Sequence, residues 1–282
     1  VLLTGSASLS IQTGLSESLA GRYELIRYPH WGYEDCKKHF DWDLSTFLKF
    51  GGYPAPSPMI KDIERWQMYI KDSIVEPVLG RDLQALVHLQ KPALLRQLFE
   101  LVMNYPAQEI SYQKLLGQLQ DRGNSATIKH YLDVLEGGFL IKVLEKFSTN
   151  PLKIKSSSPK LLPLAPALVH AFSDPTAIDN EPEWKGRLLE VAVGAHFERM
   201  GGEVFYWREG NDEVDFVVKK NRIVIGVEVK SGRRKSERGL MKFKGKFPEA
   251  KTVLLDWQTC EKLLSEKPDF GNLATLAGVG IG

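Results

Sequence analysis

"NDEVDFVVKKNRIVIGVEVKSG", residues 211–232, decides how this chain is read. Two apolar alternations flank Asn221-Arg222, a pattern that predicts a β-hairpin. Strand side chains alternate between faces with period two. In the first arm Val214, Phe216 and Val218 share one face, and Glu213, Asp215 and Val217 the other. In the second arm Ile223, Ile225, Val227 and Val229 share one face, and Val224, Gly226, Glu228 and Lys230 the other. Glu228 and Lys230 then point the same way, ~7 Å apart along the strand. A two-residue loop at Asn221-Arg222 pairs Asp215 with Glu228, whereas a loop centred one residue earlier pairs Glu213 with Glu228. Both registers leave Asp215 and Glu228 on one face. The expectation is a core face of Val214, Phe216, Ile225 and Val227, opposed by a functional face of Asp215, Glu228 and Lys230.

Like charges facing each other across strands repel. A divalent cation turns that repulsion into attraction, and Mg²⁺ takes hard oxygen ligands, typically one or two carboxylates plus waters. An adjacent lysine can stabilise developing negative charge or orient a water. Gly226 is expected to leave room for an ion or a backbone to approach. The competing reading is a solvated sheet face that happens to carry charges.

The flanking sequence reads as a helix over 184–202, strands at 203–208, 213–219 and 222–230, a basic helix over 236–246 and a strand at 252–257. That order, α-β-β-β-α-β, with D-x12-E-x-K on a hairpin after a helix bearing Glu190, resembles the PD-(D/E)XK nuclease fold. The resemblance implies a restriction-endonuclease-like α/β domain. It also implies that Asp215, Glu228 and Glu190 hold Mg²⁺ (or Mn²⁺) while Lys230 assists the chemistry. The expected reaction is hydrolysis of a phosphodiester, with DNA as the partner. Such folds also persist as inactive binding modules, so a non-catalytic nucleic-acid-binding or protein-interaction module is the alternative. The segment "KSGRRKSERGLMKFKGK" (230–246) offers Arg233, Arg234, Lys235, Lys242, Lys244 and Lys246 for phosphate contacts.

Upstream, "KPALLRQLFELVMNYP" (91–106) is an apolar helix with Pro92 in its first turn. "ISYQKLLGQL" (110–119) is a second helix with Ser111 as N-cap, "DRGNS" is turn chemistry, and "ATIKHYLDVLEGG" (126–138) is a third helix. "FLIKVLEKFS" (139–148) alternates like a strand. Helix, tight turn, helix, strand is winged-helix order. Lys129 is the candidate DNA contact on the reading helix, although Asp133 and Glu136 share that helix. "NPLKIKSSSPKLLPLAP" (150–166) is Pro/Ser-rich and reads as a linker with a short strand.

The front end, "VLLTGSASLSIQTGLSESLAGRYELIRYP" followed by "FLKFGGYPAP" and "GRDL", is similar to a prokaryotic group of AAA-type ATPases that join an ATPase module, a winged helix and a C-terminal nuclease-like domain. That resemblance implies a sensor strand with Thr4 or Ser6 near a γ-phosphate. It also implies Arg22 and Arg81 as nucleotide or subunit contacts, and self-assembly through the ATPase module. The P-loop G-x-x-x-x-G-K-[ST] is absent. The nearest string, "GLMKFKGKF" (239–247), has five residues between its glycines and lacks Ser/Thr after Lys246. The chain opens without an initiator Met. The expectation is a fragment of a longer parent that carries the P-loop upstream of Val1, with ATP bound only by that parent. "SPKLLPLAPAL" also lacks the Asp-Pro expected near Pro166.

The sequence thus predicts a multidomain chain, with an α-helical front and a winged helix leading to the α/β restriction-endonuclease-like domain. Residues 1–90 would be the ATPase remnant with its helical lid, 91–149 the winged-helix-like domain and 150–180 the linker. The nuclease-like domain would follow over 181–270, with a tail over 271–282. A net charge of +2 over 282 residues makes any nucleic-acid-binding surface local. No apolar run nears the ~20 residues a membrane span needs. Cys36 and Cys260 lie far apart without metal spacing, which points to a reducing, cytoplasmic setting.

Overall fold

The computed structural model describes residues 24, 26, 28–87, 89–119, 124–174, 178, 181–232 and 237–279. Thr4, Ser6, Arg22, Arg233, Arg234 and Lys235 lie outside the described residues.

The front of the chain is helical. Helix Leu44–Phe50 starts at Asp43, whose carboxylate accepts from the Thr46 amide at 2.7 Å. It stops at Gly51, and the following Gly52 has φ +119°, a conformation that favours glycine. The stretch Ile63–Leu86 then winds unevenly. Ile63–Met68 is α-helical, whereas Tyr69–Val75 and Val78–Asp82 take the wider i→i+5 winding. The buried residues there are Trp66, Ile70, Val75, Leu79 and Leu83. They recur every four or five positions, and only a wider turn keeps that spacing on one face.

Helices Pro92–Asn104, Tyr112–Gln118 and Ser125–Gly137 follow, with Ser111 and Asn124 capping the last two through side-chain oxygens. They pack with a three-stranded antiparallel sheet of β1 (Gln108–Glu109), β2 (Ile141–Leu144) and β3 (Lys160–Pro163), in the order β1-β3-β2. The Pro/Ser-rich stretch expected as a linker carries a short helix, Pro151–Ser156, and then this central strand. Leu161 and Leu162 are fully buried, which is why the segment docks rather than spans.

Helix Pro182–Arg199 leads into a four-stranded sheet of β4 (Glu203–Glu209), β5 (Asp212–Lys220), β6 (Ile223–Lys230) and β7 (Lys251–Asp256). The order is β4-β5-β6-β7, antiparallel except for the β6/β7 pair. That parallel pair requires a crossover, supplied by helix Arg238–Lys246. The element order α-β-β-β-α-β is the one read from the sequence. Helices Trp257–Ser265 and Phe270–Leu276 close the chain, with Phe270, Leu273 and Ala274 buried.

Both faces of the larger sheet are covered. Phe216, Val218, Ile225 and Val227 join one continuous apolar core that also holds the front helices and the smaller sheet. Trp207, Val214 and Val217 form a second cluster with Leu240, Phe243 and Ala250 beneath helix Arg238–Lys246. The expectation of one core face opposed by one functional face is therefore corrected, because Val214 belongs to the second cluster. Gly226 does not leave room for an ion: a Cβ there would stand 2.9 Å from the Phe243 ring, so the glycine admits that aromatic. The two sheets touch through backbone bonds, Phe147 N to the Tyr206 carbonyl at 2.7 Å and Tyr206 N to the Glu145 carbonyl at 3.1 Å.

Candidate active site

The hairpin turns at Asn221-Arg222. Lys220 pairs with Ile223, and the register runs unbroken to Phe216 opposite Val227. Asn221 has φ +55°, and asparagine tolerates that left-handed turn conformation. Continuing the same register places Asp215 beside Glu228.

On its other edge β5 carries a bulge. Phe205 pairs with Val217 and Trp207 with Val214, so β5 spends one more residue than β4 over this step. A bulge breaks strict alternation and re-aims a side chain. Val214 and Val217 accordingly share the second cluster, while Phe216 enters the main core. Asp215, within the bulge, meets a shared cation with Glu190 of helix Pro182–Arg199.

That cation is Lys160, the first residue of β3 in the smaller sheet. Its side chain is 8% exposed. Nζ donates to the Asp215 carbonyl at 3.0 Å, stands 3.8 Å from Asp215 Oδ1 and 3.9 Å from Glu190 Oε2, and lies 4.8 Å from the Phe216 ring centroid. Asp215 Oδ2 accepts from the Val229 amide at 2.8 Å, which ties the carboxylate to β6. Glu228 is buried. Its Oε1 accepts from Lys230 Nζ at 2.5 Å, while Oε2 is buried without a hydrogen-bond partner. An orphaned buried oxygen costs free energy unless a proton or a cation meets it.

Electrostatics follow from this crowding. Burial, then the Asp215 charge, push the Glu190 carboxyl up to about 8, with Lys160 pulling the other way. Burial and Asp215 likewise push Glu228 up to about 7, opposed by Lys230. Burial works to lower the Lys230 ammonium, and its ion pair with Glu228 outweighs that and raises it. Two carboxyls poised near neutrality beside a third is the arrangement that protons or cations relieve.

All of these side chains but Glu228, which lies behind the wall, line a cleft of about 520 Å³ between the two sheets. Lys160, Glu190, Asp215 and Lys230 line it, with Gln108 and Glu109 from β1 on the facing side. Arg208 bridges the sheets there, 3.2 Å from Glu109 and 3.7 Å from Glu213. The donor set is all oxygen, which suits Mg²⁺ or Mn²⁺ in kind. Among the described residues no three His, Cys, Asp or Glu side chains are grouped closely enough to hold an ion as placed. Lys160 stands in the gap between two of them.

The remaining candidates fall elsewhere. No residue of 237–246 lines the cleft. Lys242 pairs with Asp212 at 2.7 Å, Lys246 pairs with Glu209 at 2.6 Å, and Lys244 donates to the carbonyls of Pro248 and Ala250. Arg238 also pairs with the buried Asp212, at 2.7 Å. Lys129 is exposed on helix Ser125–Gly137, and Arg81 is 78% exposed and paired with Asp82. The site residue that sequence reading missed is Lys160. A lysine opening "KLLP" reads as a solvated strand end, and its only signal is the fully apolar pair that follows it.

Comparison with known proteins matches this division. Residues 41–179 match a domain of unknown function, DUF8612, and residues 185–267 match a second, DUF4143. The latter is typically found in proteins associated with AAA-type ATPases. Uncharacterized proteins of Mycobacterium bovis and Mycobacterium tuberculosis are 28% identical over 237 residues, which is 81% of this chain and 52% of theirs. The chain thus spans about half the length of the curated relatives it matches. No solved structure matches. Lys160 lies within the first matched region and Asp215, Glu190, Glu228 and Lys230 within the second, so the site draws on both.

Proposed function

We propose that the C-terminal α/β unit is a PD-(D/E)XK-type phosphodiesterase that acts on DNA with Mg²⁺ or Mn²⁺, within a longer AAA-type ATPase parent. The observation that carries this reading is the meeting of Asp215, Glu228, Lys230 and Glu190 at one end of the sheet, with Glu228 Oε2 buried and unpartnered. The α-β-β-β-α-β order supports it. Upstream, the order helix, strand, helix, helix, strand, short helix, strand with sheet order β1-β3-β2 supports a winged-helix reading of the smaller unit.

Asp215, Glu228 and Glu190 would hold the ion only after drawing closer than they stand with Lys160 between two of them. A divalent ion bound there would supply Lewis acidity and would polarise a water for attack on phosphorus. Lys230 carries its charge to the cleft from the Glu228 ion pair, where it can offset charge that develops on a phosphoryl oxygen. Val229 orients Asp215 through its amide. Arg187 and Arg208 line the same cleft and can meet a phosphate backbone. Arg233, Arg234 and Lys235, which follow β6 in sequence after Ser231-Gly232, are further candidates for phosphate contacts.

The test is nicking of supercoiled plasmid by the purified chain with Mg²⁺ or Mn²⁺, alongside Asp215→Asn and Lys230→Met. Cleavage is expected from the parent sequence and from neither variant. Intact DNA and intact RNA in every lane would remove the catalytic reading. A second reading has its own support: Lys160 already neutralises two of the carboxylates, and Lys242, Lys244 and Lys246 are engaged internally. On that reading the unit is a non-catalytic nucleic-acid-binding or protein-interaction module. Salt-dependent DNA retention without cleavage would favour it.

A further inference from the structure

We propose that Lys160 is a tethered counter-cation of the carboxylate site: it holds the place between Asp215 and Glu190 that a divalent ion would take, and an ion enters only by displacing it. The competition half of this inference rests on the function proposed above.

Three observations carry it. First, the placement is specific. Lys160 Nζ makes one hydrogen bond, to the Asp215 carbonyl, and stands 3.8 Å and 3.9 Å from two carboxylate oxygens. Those two distances are too long for hydrogen bonds and short enough for charge pairing. The ammonium therefore satisfies the field of both carboxylates without being locked to either. Second, the alternative for these charges is poor. Glu228 spends one oxygen on Lys230, Asp215 spends one on the Val229 amide, and Arg187 is engaged by Glu183. Glu213 and Glu109 share Arg208. Third, Lys160 is delivered by a different sheet. Strand β3 is the centre of the β1-β3-β2 sheet, and the neighbouring strand β1 contributes Gln108 and Glu109 to the same cleft. Lys160 is buried, with its ammonium over the Phe216 ring, so the charge arrives on a fixed tether.

Two consequences are physical. A site with its own cation is stable without metal, and metal affinity is lower than the carboxylate set alone would give. Because Lys160 comes from the smaller sheet while Asp215 is on the larger one and Glu190 on helix Pro182–Arg199, ion entry is also coupled to how the smaller sheet docks on the larger one.

The experiment uses the full chain, Lys160→Met, Glu190→Gln, and the doubles Lys160→Met/Glu190→Gln and Lys160→Met/Asp215→Asn. Methionine keeps the stem and removes the charge, and Lys160→Gln replaces it if the methionine variant does not accumulate folded. Mn²⁺ is titrated and bound ion is read by electron paramagnetic resonance. Lys160→Met should bind Mn²⁺ at least tenfold more tightly than the parent, and Asp215→Asn should remove that gain. Equal or weaker binding by Lys160→Met overturns the inference and leaves the metal reading standing. If no variant binds Mn²⁺, the metal reading falls, and the metal-free arm then decides on Lys160. In that arm Lys160→Met lowers the thermal midpoint, and it lowers it less in the Glu190→Gln background than in the parent. An equal loss in both backgrounds would mean that the lysine merely fills space, and the inference fails.

Discussion

Replacing Glu190 by glutamine should stabilise the metal-free protein at high pH and leave it nearly unchanged at low pH. Glu190 carries a carboxyl pushed from an ordinary 4.5 to about 8, chiefly by burial and then by Asp215. A group whose folded-state value lies above its unfolded value favours the fold below the unfolded value and loses that advantage as pH rises through the folded one. For Glu190 the window runs from about 4.5 to about 8. At about 1.4 kcal/mol per unit, full ionisation at pH 8 would cost at most about 5 kcal/mol. The side chain keeps 26% of its surface and lies 3.9 Å from Lys160, so solvent and a cation screen the charge. A working figure is about 2 kcal/mol. Glutamine preserves the shape and removes the charge. Urea unfolding at pH 5 and pH 8 reads the difference directly. The variant should gain about 2 kcal/mol at pH 8 and about 0.8 kcal/mol at pH 5, with an unchanged slope. An equal change at both pH values, or a loss at pH 8, would refute the claim that burial, and then Asp215, penalise the Glu190 charge. Added Mn²⁺ should narrow the gap at pH 8, because a bound ion stabilises the parent and not the variant.

His196 is buried, with both ring nitrogens lacking hydrogen-bond partners, and burial followed by the Arg199 charge lowers it to about 3. Its neutral form is favoured in the fold, so stability is present above about 6.5 and is lost as pH falls towards 3; between pH 7 and pH 5 the loss is about 2 kcal/mol. His196→Leu should flatten that acid limb in a thermal-midpoint series, and an unflattened limb would remove His196 as its cause. Gly239 opens helix Arg238–Lys246 where a Cβ would stand 1.9 Å from the Glu213 carbonyl oxygen, so Gly239→Ala must push helix from strand. A loss of about 3 kcal/mol or more in urea is expected, and a loss below about 0.5 kcal/mol would contradict this close approach. Gly226→Ala meets the Phe243 ring instead, and about 1–3 kcal/mol should be lost with no change in Mn²⁺ affinity. A selective fall in Mn²⁺ affinity would return Gly226 to the ion site.

The hairpin 211–232 shows what is legible in a chain and what is not. Its two strands and the shared face of Asp215 and Glu228 follow from alternation, which is local, whereas the structure chose between the two registers left open and put the turn at Asn221-Arg222. The cap at Ser111 is local in the same way, and so is the α-β-β-β-α-β order. Alternation failed at Val214, where pairing with β4 inserts a bulge that no residue of β5 announces. It also misread Gly226, since a glycine looks the same whether an ion or a phenyl ring approaches it. Lys242 and Lys246 looked free because Asp212 and Glu209 lie some 30 and 37 residues away. Lys160 lies 55 residues before Asp215 and on another sheet, and only packing brings the two together. The sequence by itself therefore determined the elements and the acidic hairpin, whose rules act over a few residues. Tertiary structure decided which cation meets those carboxylates, because charge and burial act through space and not along the chain.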